Sequence, residues 1–357
     1  MKLLVLILFY ILFLGNNAYP VNLEKIKCFE ADGTPKSIAI SPRGDIAVVS
    51  NLEGGSVWLI DTVTKKVLKK IKFKKTPGTG FNYQKRIKIP SFQEKPVESA
   101  FSNGDRYIWI SLHNAGGVVI YDRKEKLEGK SSYKKAWIYD TSNDTTKIMK
   151  LPFIKTGVTP KVIAVSPDDN WVYVANWHSN DVSVINARTF EKLKNMNVIR
   201  IPRGIIFTPD GEYAFVANMG SNYLSKIDVV THNVIENKVV GFNPRHLVIS
   251  DDGKYLYISL NMPGLIKKFD VQRGMLIATT AVGKMPRTID LSNDGRYLFV
   301  ANYGDNSITI VNTEAMSVIK TFSDQLRPCG LCFSKDRKEL WVTNYYSNTV
   351  CIYKFAE

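Results

Sequence analysis

The chain has 357 residues, of which 45% are hydrophobic and 11% aromatic, a composition typical of a globular protein with a large core. This composition excludes a disordered or fibrous chain, and the length allows either two average domains or one long all-β domain. The 48 basic and 33 acidic residues give a formal net charge of +15. Such a surplus favours an anionic partner, such as nucleic acid, an anionic glycan, membrane head groups or an acidic protein, although a solvated lysine-rich surface would give the same count.

Residues 1–18 have the pattern of a secretory signal peptide. Lys2 precedes the apolar run Leu3–Leu14, which is too short to cross a bilayer as a helix, and the polar and small residues Gly15–Ala18 follow. We therefore expect cleavage after Ala18 and a periplasmic, secreted or cell-surface protein, with a retained N-terminal anchor as the alternative. No cysteine ends the apolar run, which argues against a lipoprotein, and no later stretch is long and apolar enough to cross a membrane.

The remaining residues, 19–357, repeat one sequence pattern seven times. Each repeat begins at a proline, and sixteen residues later lies an asparagine or, in repeats two and five, a leucine. The last five repeats are spaced by 42 residues, whereas the two earlier gaps are 61 and 64 residues. The repeats begin at Pro35, Pro96, Pro160, Pro202, Pro244, Pro286 and Pro328.

Each repeat is predicted to contain four short strands. In the third repeat, apolar residues alternate over Val162–Ser166, Trp171–Ala175 and Val182–Ile185, turn residues separate these stretches, and a fourth strand is predicted near Lys192–Ile199. A unit of about 40 residues with four strands is typical of a β-propeller blade. We therefore predict an all-β fold in which residues 19–357 form a single seven-bladed β-propeller of four-stranded blades.

The two ends of the chain are predicted to share one blade. The last repeat supplies only three strands before Glu357, and Asn22–Glu30 can supply the fourth, which leaves no open sheet edge between the ends. All four cysteines fall in this blade, with Cys329 and Cys332 on its inner strand. Cys28 and Cys351 lie on neighbouring strands, so a disulfide between them is plausible in an oxidising compartment.

The second strand of several repeats ends in a shared motif, as in Tyr173–Asn176, Phe299–Asn302 and Trp341–Asn344. This motif resembles the YVTN β-propeller repeat, although repeats two and five depart from it with Ile110–Leu112 and Ile258–Leu260. The resemblance covers nearly the whole mature chain and implies a WD40-like, usually exported, seven-bladed propeller. That family includes surface-layer-associated and periplasmic binding proteins, and its wider relatives include lactonases and cofactor-bearing dehydrogenase subunits, so the resemblance implies the fold better than the function.

The residue after each repeat proline points to a ligand site. It is cationic in five of the seven repeats, and all five residues would surround one mouth of the central channel. Like charges repel by roughly 1 kcal/mol per pair at short range even in water, so a bound anion or carboxylates elsewhere in the ring would explain them. Hydrogen bonds to carbonyls of the neighbouring blades are the alternative explanation. The five cations are Lys36, Lys161, Arg203, Arg245 and Arg287.

The loops after the second strands emerge at the same mouth and add aromatic residues to it. Aromatics among cations are typical of single-stranded nucleic-acid platforms and equally of glycan or protein interfaces. The insertion Lys74–Lys95 is expected to overhang this mouth as a flap carrying Lys85, Arg86 and Lys88. The lysine-rich insertion within Arg123–Thr145 is expected to be a solvated excursion. The predicted ligand-binding residues in the loops are Trp177, His178, Tyr303, Tyr345 and Tyr346.

No catalytic motif accompanies this mouth. His113 and His178 are weak metal candidates because no carboxylate or cysteine accompanies them, and Cys329–Cys332 lacks the histidine of a haem-attachment motif. We therefore expect no cofactor, no metal and no catalysis, and predict an exported, monomeric propeller that binds an anionic macromolecule or an envelope protein. The alternatives are a lactonase-like hydrolase and an accessory propeller of a periplasmic redox enzyme.

Overall fold

The computed structural model describes residues 21–82, 85, 87–334, 336 and 338–357, so the predicted signal peptide and Arg86 lie outside the described residues. This part of the chain contains 31 β-strands and no α-helix. The strands form a seven-bladed propeller of four-stranded antiparallel blades, which confirms the predicted fold.

The seven inner strands each begin at a repeat proline. Each contacts the inner strand of the next blade, and the first contacts the last, so they enclose a central channel. They are β2 (Pro35–Ile40), β8 (Pro96–Ser102), β13 (Pro160–Val165), β17 (Pro202–Phe207), β21 (Pro244–Ile249), β25 (Pro286–Leu291) and β29 (Pro328–Ser334).

Outside them lie the second and third strands of the blades, which carry most of the buried apolar residues. The second strands are β3 (Ile46–Asn51), β9 (Tyr107–Leu112), β14 (Trp171–Asn176), β18 (Tyr213–Asn218), β22 (Tyr255–Leu260), β26 (Tyr297–Asn302) and β30 (Glu339–Asn344). The third strands are β4 (Ser56–Asp61), β10 (Gly117–Asp122), β15 (Asp181–Asn186), β19 (Tyr223–Asp228), β23 (Leu265–Asp270), β27 (Ser307–Asn312) and β31 (Thr349–Ala356).

The outer strand of the seventh blade comes from the beginning of the described chain, as predicted, and pairs antiparallel with β31. The outer strands of blades one to seven are β5 (Val67–Phe73), β12 (Thr145–Lys155), β16 (Lys192–Asn197), β20 (Asn233–Val239), β24 (Met275–Ala281), β28 (Ser317–Phe322) and β1 (Asn22–Glu30).

Both insertions form strands of their own. The first is a separate hairpin of β6 (Pro77–Asn82) and β7 (Ile87–Phe92), which we call the flap. The second contains β11 (Tyr133–Asp140), which pairs with β5 of blade one and with β12 of blade two and joins these blades into one nine-stranded sheet. The expectation of a purely solvated excursion was therefore wrong, because Ala136 and Ile138 bury their side chains between the two blades.

Seven hydrophobic clusters hold the propeller together, one at each contact between neighbouring blades. The cluster between the first and last blades contains Ile38 and Trp58 from blade one and Trp341 from blade seven. Burial of apolar surface therefore closes the ring as firmly between the two ends of the chain as elsewhere.

A β-bulge follows the proline of every inner strand. The pairing register with the second strand shifts immediately after all seven prolines, for example between Pro202 and Gly204 and between Pro244 and His246. A bulge releases a residue from the ladder and redirects its side chain. The bulged position is the one that carries the five cations.

Candidate functional site

The bulges bring the five predicted cations together in the channel, and we call them the cation ring. Lys161, Arg203 and Arg245 are only 3%, 5% and 7% exposed, and Lys36 and Arg287 are partly buried. Burial and the positive charges of Arg287, Arg245 and Arg203 lower the pKa of Lys36 to about 8, although Cys329 partly offsets them. These charges come from four different blades, so the ring members face one another across the channel.

One carboxylate crosses the channel to meet the ring. Glu98 of β8 accepts a hydrogen bond from Arg203 Nη2 at 2.7 Å, which joins blades two and four. Among the described residues, Glu98 is the only carboxylate that forms an ion pair with the five cations. Glu98 was missed from the sequence, where its place two residues after a repeat proline was the available signal.

The other ring cations bond to neutral or sulfur-containing groups. Lys161 Nζ donates to Nδ1 of His113 at 3.1 Å. Arg245 Nη1 lies 3.3 Å from Sδ of Met219. Among the described residues, the side chains of the ring cations donate hydrogen bonds to other side chains. These bonds do not support the alternative explanation, in which the cations would bond to backbone carbonyls of neighbouring blades.

Part of the donor capacity of the ring is unused. In the described part of the chain, Nε and Nη1 of Arg203 and Nε of Arg287 are buried without a hydrogen-bond partner. Buried donors are nearly always satisfied in folded proteins, and one that is not destabilises the fold by about 1–3 kcal/mol. These guanidinium nitrogens therefore leave hydrogen-bonding capacity unused inside the ring.

Cys329 occupies the same bulged position in blade seven and lies between two ring members. Its Sγ is 3.2 Å from Nζ of Lys36 and 3.2 Å from Nη1 of Arg287. Burial opposes the thiolate, but the positive charges of Lys36, Arg287 and Arg245 outweigh burial and lower the pKa of Cys329 to about 6. The sequence had placed Cys329 on the inner strand without assigning it to the site.

The histidines near the ring are held neutral. Burial and the charges of Lys161 and Lys36 hold the pKa of His113 well below its usual range. Burial and the charges of Arg203 and Arg245 lower the pKa of His246 to about 3. A neutral His113 can accept the hydrogen bond from Lys161, so these histidines add no positive charge at neutral pH.

Three of the predicted aromatic residues contact ring cations. The guanidinium carbon of Arg287 lies 3.4 Å from the ring centroid of Tyr303, and Nζ of Lys161 lies 4.1 Å from a ring centroid of Trp177. Lys36 lies 5.3 Å from the centroid of Tyr345, a cation–π distance. The aromatic side chains therefore line the ring, as their positions after the second strands suggested.

The other predicted residues lie outside the ring. Tyr346 is 76% exposed, and His178 bonds to Thr159 through Nδ1 at 2.7 Å. In the flap, Lys85 and Lys88 are exposed. The structure thus brings together Trp177, Tyr303 and Tyr345 with the cations, but not Tyr346, Lys85 or Lys88.

The remaining cysteines form a cross-link at the edge of blade seven. Cys28 and Cys351 lie directly opposite each other in the pairing of β1 with β31, with Cα atoms 4.1 Å apart, and a disulfide bond joins them. Over the described residues we find no group of three or more histidine, cysteine, aspartate or glutamate side chains arranged to hold a metal ion. The same residues include no helix of the length and hydropathy needed to cross a membrane.

Comparison with solved structures shows the fold in two other proteins. Kuenenia stuttgartiensis hydrazine synthase is similar over 89% of this chain and 95% of its own, with a TM-score of 0.71 and 20% identity. The Cps50 (Swd1) β-propeller domain of Myceliophteria thermophila is similar over 93% of this chain and 99% of its own, with a TM-score of 0.71 and 10% identity.

At the level of sequence, no curated protein matches the chain. Residues 109–357 match the family described as lactonase, 7-bladed beta-propeller, and they include blades three to six entirely and three of the four strands of blade seven. With that match spanning most of the chain, and with seven blades closed around a cationic channel, the protein belongs to the lactonase family of seven-bladed β-propellers.

Proposed function

We propose that the central channel binds an anionic group, a carboxylate or a phosphate, within the cation ring. The observation that supports this proposal most strongly is the charge imbalance of the channel. Five basic side chains gather there around one paired carboxylate and the thiol of Cys329, and two guanidinium groups keep buried donors without partners. Arginine presents a planar set of donors that matches the oxygen atoms of carboxylate and phosphate.

The burial of the ring limits what can reach it. Since Lys161, Arg203 and Arg245 are less than a tenth exposed, a nucleic-acid backbone lying across the mouth would not contact them. The ligand is therefore a small anion or an anionic group at the end of a larger molecule, such as an envelope glycan or an acidic protein segment. The overall charge of +15 would attract either kind of partner.

The test is calorimetric titration with sulfate, phosphate and citrate in a buffer of low ionic strength. The variant R203A/R245A/R287A should bind at least about tenfold more weakly, because each lost arginine removes a charge-assisted hydrogen bond. The variant R43A/R188A/R273A is the matched control, since it removes three exposed arginines elsewhere, and it should bind like the wild type. Should the triple ring variant misfold, the single variant Arg245→Gln serves in its place.

Two results would overturn the proposal. One is a wild-type protein that binds none of the three anions. The other is a correctly folded ring variant that binds them with unchanged affinity.

Lactone hydrolysis is a second candidate function, and two observations favour it. The family that matches this chain is described by that activity, and Glu98 shares the channel with Arg203. A guanidinium can donate to the carbonyl oxygen of a lactone, while a carboxylate can accept a proton from the attacking water. Titration of the acid released from a panel of lactones tests this function, and activity that survives E98Q would exclude Glu98 as the base.

We also propose that the protein is exported to the periplasm or the cell surface. The support is the charged, apolar and small-residue order of residues 1–18 together with the Cys28–Cys351 disulfide. Fractionation and N-terminal sequencing of the expressed protein test it. A mature protein that begins at Tyr19 is expected, whereas an intact N-terminus in the cytoplasmic fraction would contradict export.

A further inference from the structure

A cleft opens beside the cation ring, between the flap and the loops of blades two and three. Its volume is ≈ 640 Å³, the size of a small-molecule site. The flap contributes Phe81 and Lys88, the loop after β9 contributes His113, and the segment after β12 contributes Thr156 and Val158. From the sequence, Lys88 was expected in a flap and His113 was a weak metal candidate, whereas Thr156 and Val158 were given no role.

The lining of the cleft presents apolar surface, and its charged residues are Lys88 and Lys155. Phe81 is 39% exposed and Val158 is 57% exposed, so both present apolar surface to the space between them. Backbone of Gly80, Gly116 and Gly157 forms further parts of the wall. An exposed apolar surface inside a concave site is typical of ligand binding.

The cleft also contains an unsatisfied polar group. Thr156 is 5% exposed, and within the described residues its Oγ1 is buried without a hydrogen-bond partner. Buried hydroxyls usually have partners, so this one leaves hydrogen-bonding capacity unused at the wall of the cleft. The observation is independent of the charge imbalance in the ring.

One residue connects the cleft to the ring. His113 lines the cleft, and its Nδ1 accepts the hydrogen bond from Nζ of Lys161 at 3.1 Å. The edge of the cleft is therefore one side chain away from the nearest ring cation. A ligand of modest length can place a charged end at Lys161 and the rest of its body between Phe81 and Val158.

We propose that the cleft binds the uncharged aromatic or aliphatic body of a ligand whose carboxylate or phosphate occupies the cation ring. This inference rests on the proposed anion binding and specifies its ligand class as an amphipathic monoanion or phosphate ester. The charged end supplies the attraction to the ring, while the body determines which anions bind best. Inorganic anions would then be poor ligands compared with organic ones of the same charge.

The test compares acetate with 3-phenylpropionate, and methyl phosphate with phenyl phosphate, by calorimetric titration. Each aryl ligand should bind the wild type about tenfold more tightly than its short counterpart, since the phenyl group leaves water. Val158→Ser and Phe81→Ser should abolish this gain without changing the affinity for acetate or methyl phosphate. Val230→Ser is the matched control, because Val230 is 86% exposed in a turn elsewhere, and it should keep the gain.

The outcomes separate this inference from the function on which it rests. If acetate and phosphate esters bind but the aryl gain is absent, or persists in both cleft variants, the cleft proposal is overturned and anion binding stands. Neutral 3-phenylpropionamide is the second probe. If the amide binds, depends on Val158, and no anion binds, the cleft is a site for neutral molecules, which overturns both proposals.

Discussion

A buried positive charge destabilises a folded protein unless a counter-charge or hydrogen-bond acceptor accompanies it. The channel of this propeller brings five cations together, and each of the most buried ones is opposed by a different neighbour: Glu98, His113 or Met219. Of these three neighbours, only Glu98 forms an ion pair with a ring cation among the described residues. The fold therefore tolerates a strained channel that an added anion would relieve.

Replacement of Glu98 by glutamine should expose that strain. Glu98 pairs with Arg203, and their side chains are 19% and 6% exposed. Removal of one partner from a buried ion pair destabilises a protein by about 3 kcal/mol. Urea denaturation in dilute chloride buffer should show this loss for E98Q, and added phosphate should reverse much of it by binding Arg203.

Glu236 offers a matched control, because its pair with Lys238 is 42% and 41% exposed. Glu236→Gln should change the free energy of unfolding by less than about 1 kcal/mol. An E98Q protein as stable as the wild type, or one that phosphate does not rescue, would show that the ring cations do not destabilise the channel when Glu98 is absent.

Cys329 should be a thiolate at neutral pH. Its folded pKa of about 6 lies below the usual thiol value, because the charges of Lys36, Arg287 and Arg245 overcome the effect of burial. The ultraviolet absorbance of the thiolate, taken as the difference between the wild type and C329S, should therefore rise as pH increases through about 6. A Lys36→Met variant should move the midpoint to higher pH.

The same shift has a consequence for stability. Since the folded pKa is the lower one, the thiolate contributes stability above the pKa of the unfolded thiol, and this contribution is lost as pH falls through about 6. Cys332 is the internal comparison, because burial and Asp290 raise its pKa. A titration midpoint near that of an ordinary thiol would show that the cations do not act on Cys329.

At the scale of the strand, the repeat prolines carry most of the information about the fold. They predicted where all seven inner strands begin to within about two residues, and the strands start at the prolines themselves, since proline is tolerated at the first position of a strand. The bulge that follows each proline explains why the next residue faces the channel. The gathering of five cations at one opening could therefore be predicted from the repeat spacing alone. The binding of an anion to these cations stays a prediction.

Other parts of the site depend on distances that a repeat pattern does not contain. Arg203 meets Glu98 from two blades away, which requires the diameter of the channel to be known. The flap cleft depends on how an insertion outside the repeat packs onto blades two and three. The pairing of β11 with β5 is likewise a contact between blades. The alternation of apolar and polar residues along β11 therefore predicted neither the partner strand of β11 nor the burial of its side chains.

The asparagine at the end of the second strand has a structural role in its blade. In blade six, Nδ2 of Asn302 donates to Ser307 at 3.1 Å and to Thr309 at 2.8 Å, and the residue is fully buried. Asn176 makes equivalent bonds to Asp181 and Ser183. The bonds tie the second strand to the third across their connecting turn, so the repeated asparagine serves the fold and not the ligand.

Asn302→Ala should accordingly reduce the free energy of unfolding by about 1–2 kcal/mol, because two buried hydroxyls lose their partner. Asn222→Ala is the control, since Asn222 is exposed in a turn. Urea denaturation of the two variants gives the comparison. Equal stability of both variants would show that the motif asparagine is dispensable in blade six. Blades two and five already lack it, because the buried Leu112 and Leu260 occupy its position there.

At the scale of the whole molecule, closure joins residues that are far apart in sequence. The pairing of β1 with β31 completes the seventh blade, and the cluster around Trp341 seals that blade against the first. The hydrophobic pattern predicted this closure because the last repeat lacked a fourth strand. Without it, two sheet edges would be exposed and the ring could open at a single position.

The Cys28–Cys351 disulfide locks this closure, with 323 residues between its ends. A cross-link over a long loop restricts the unfolded chain, so C28S/C351S should reduce the free energy of unfolding by about 2–4 kcal/mol, and a reductant should bring the wild type to the same value. Hydrogen exchange locates the effect: amides of β1 should exchange faster in the variant, while those of β17 to β20 in blade four should not change. Because β1 also pairs with β31 and packs on its neighbours through Leu23 and Phe29, unchanged exchange in β1 would show that strand pairing and packing suffice to close the ring without the disulfide.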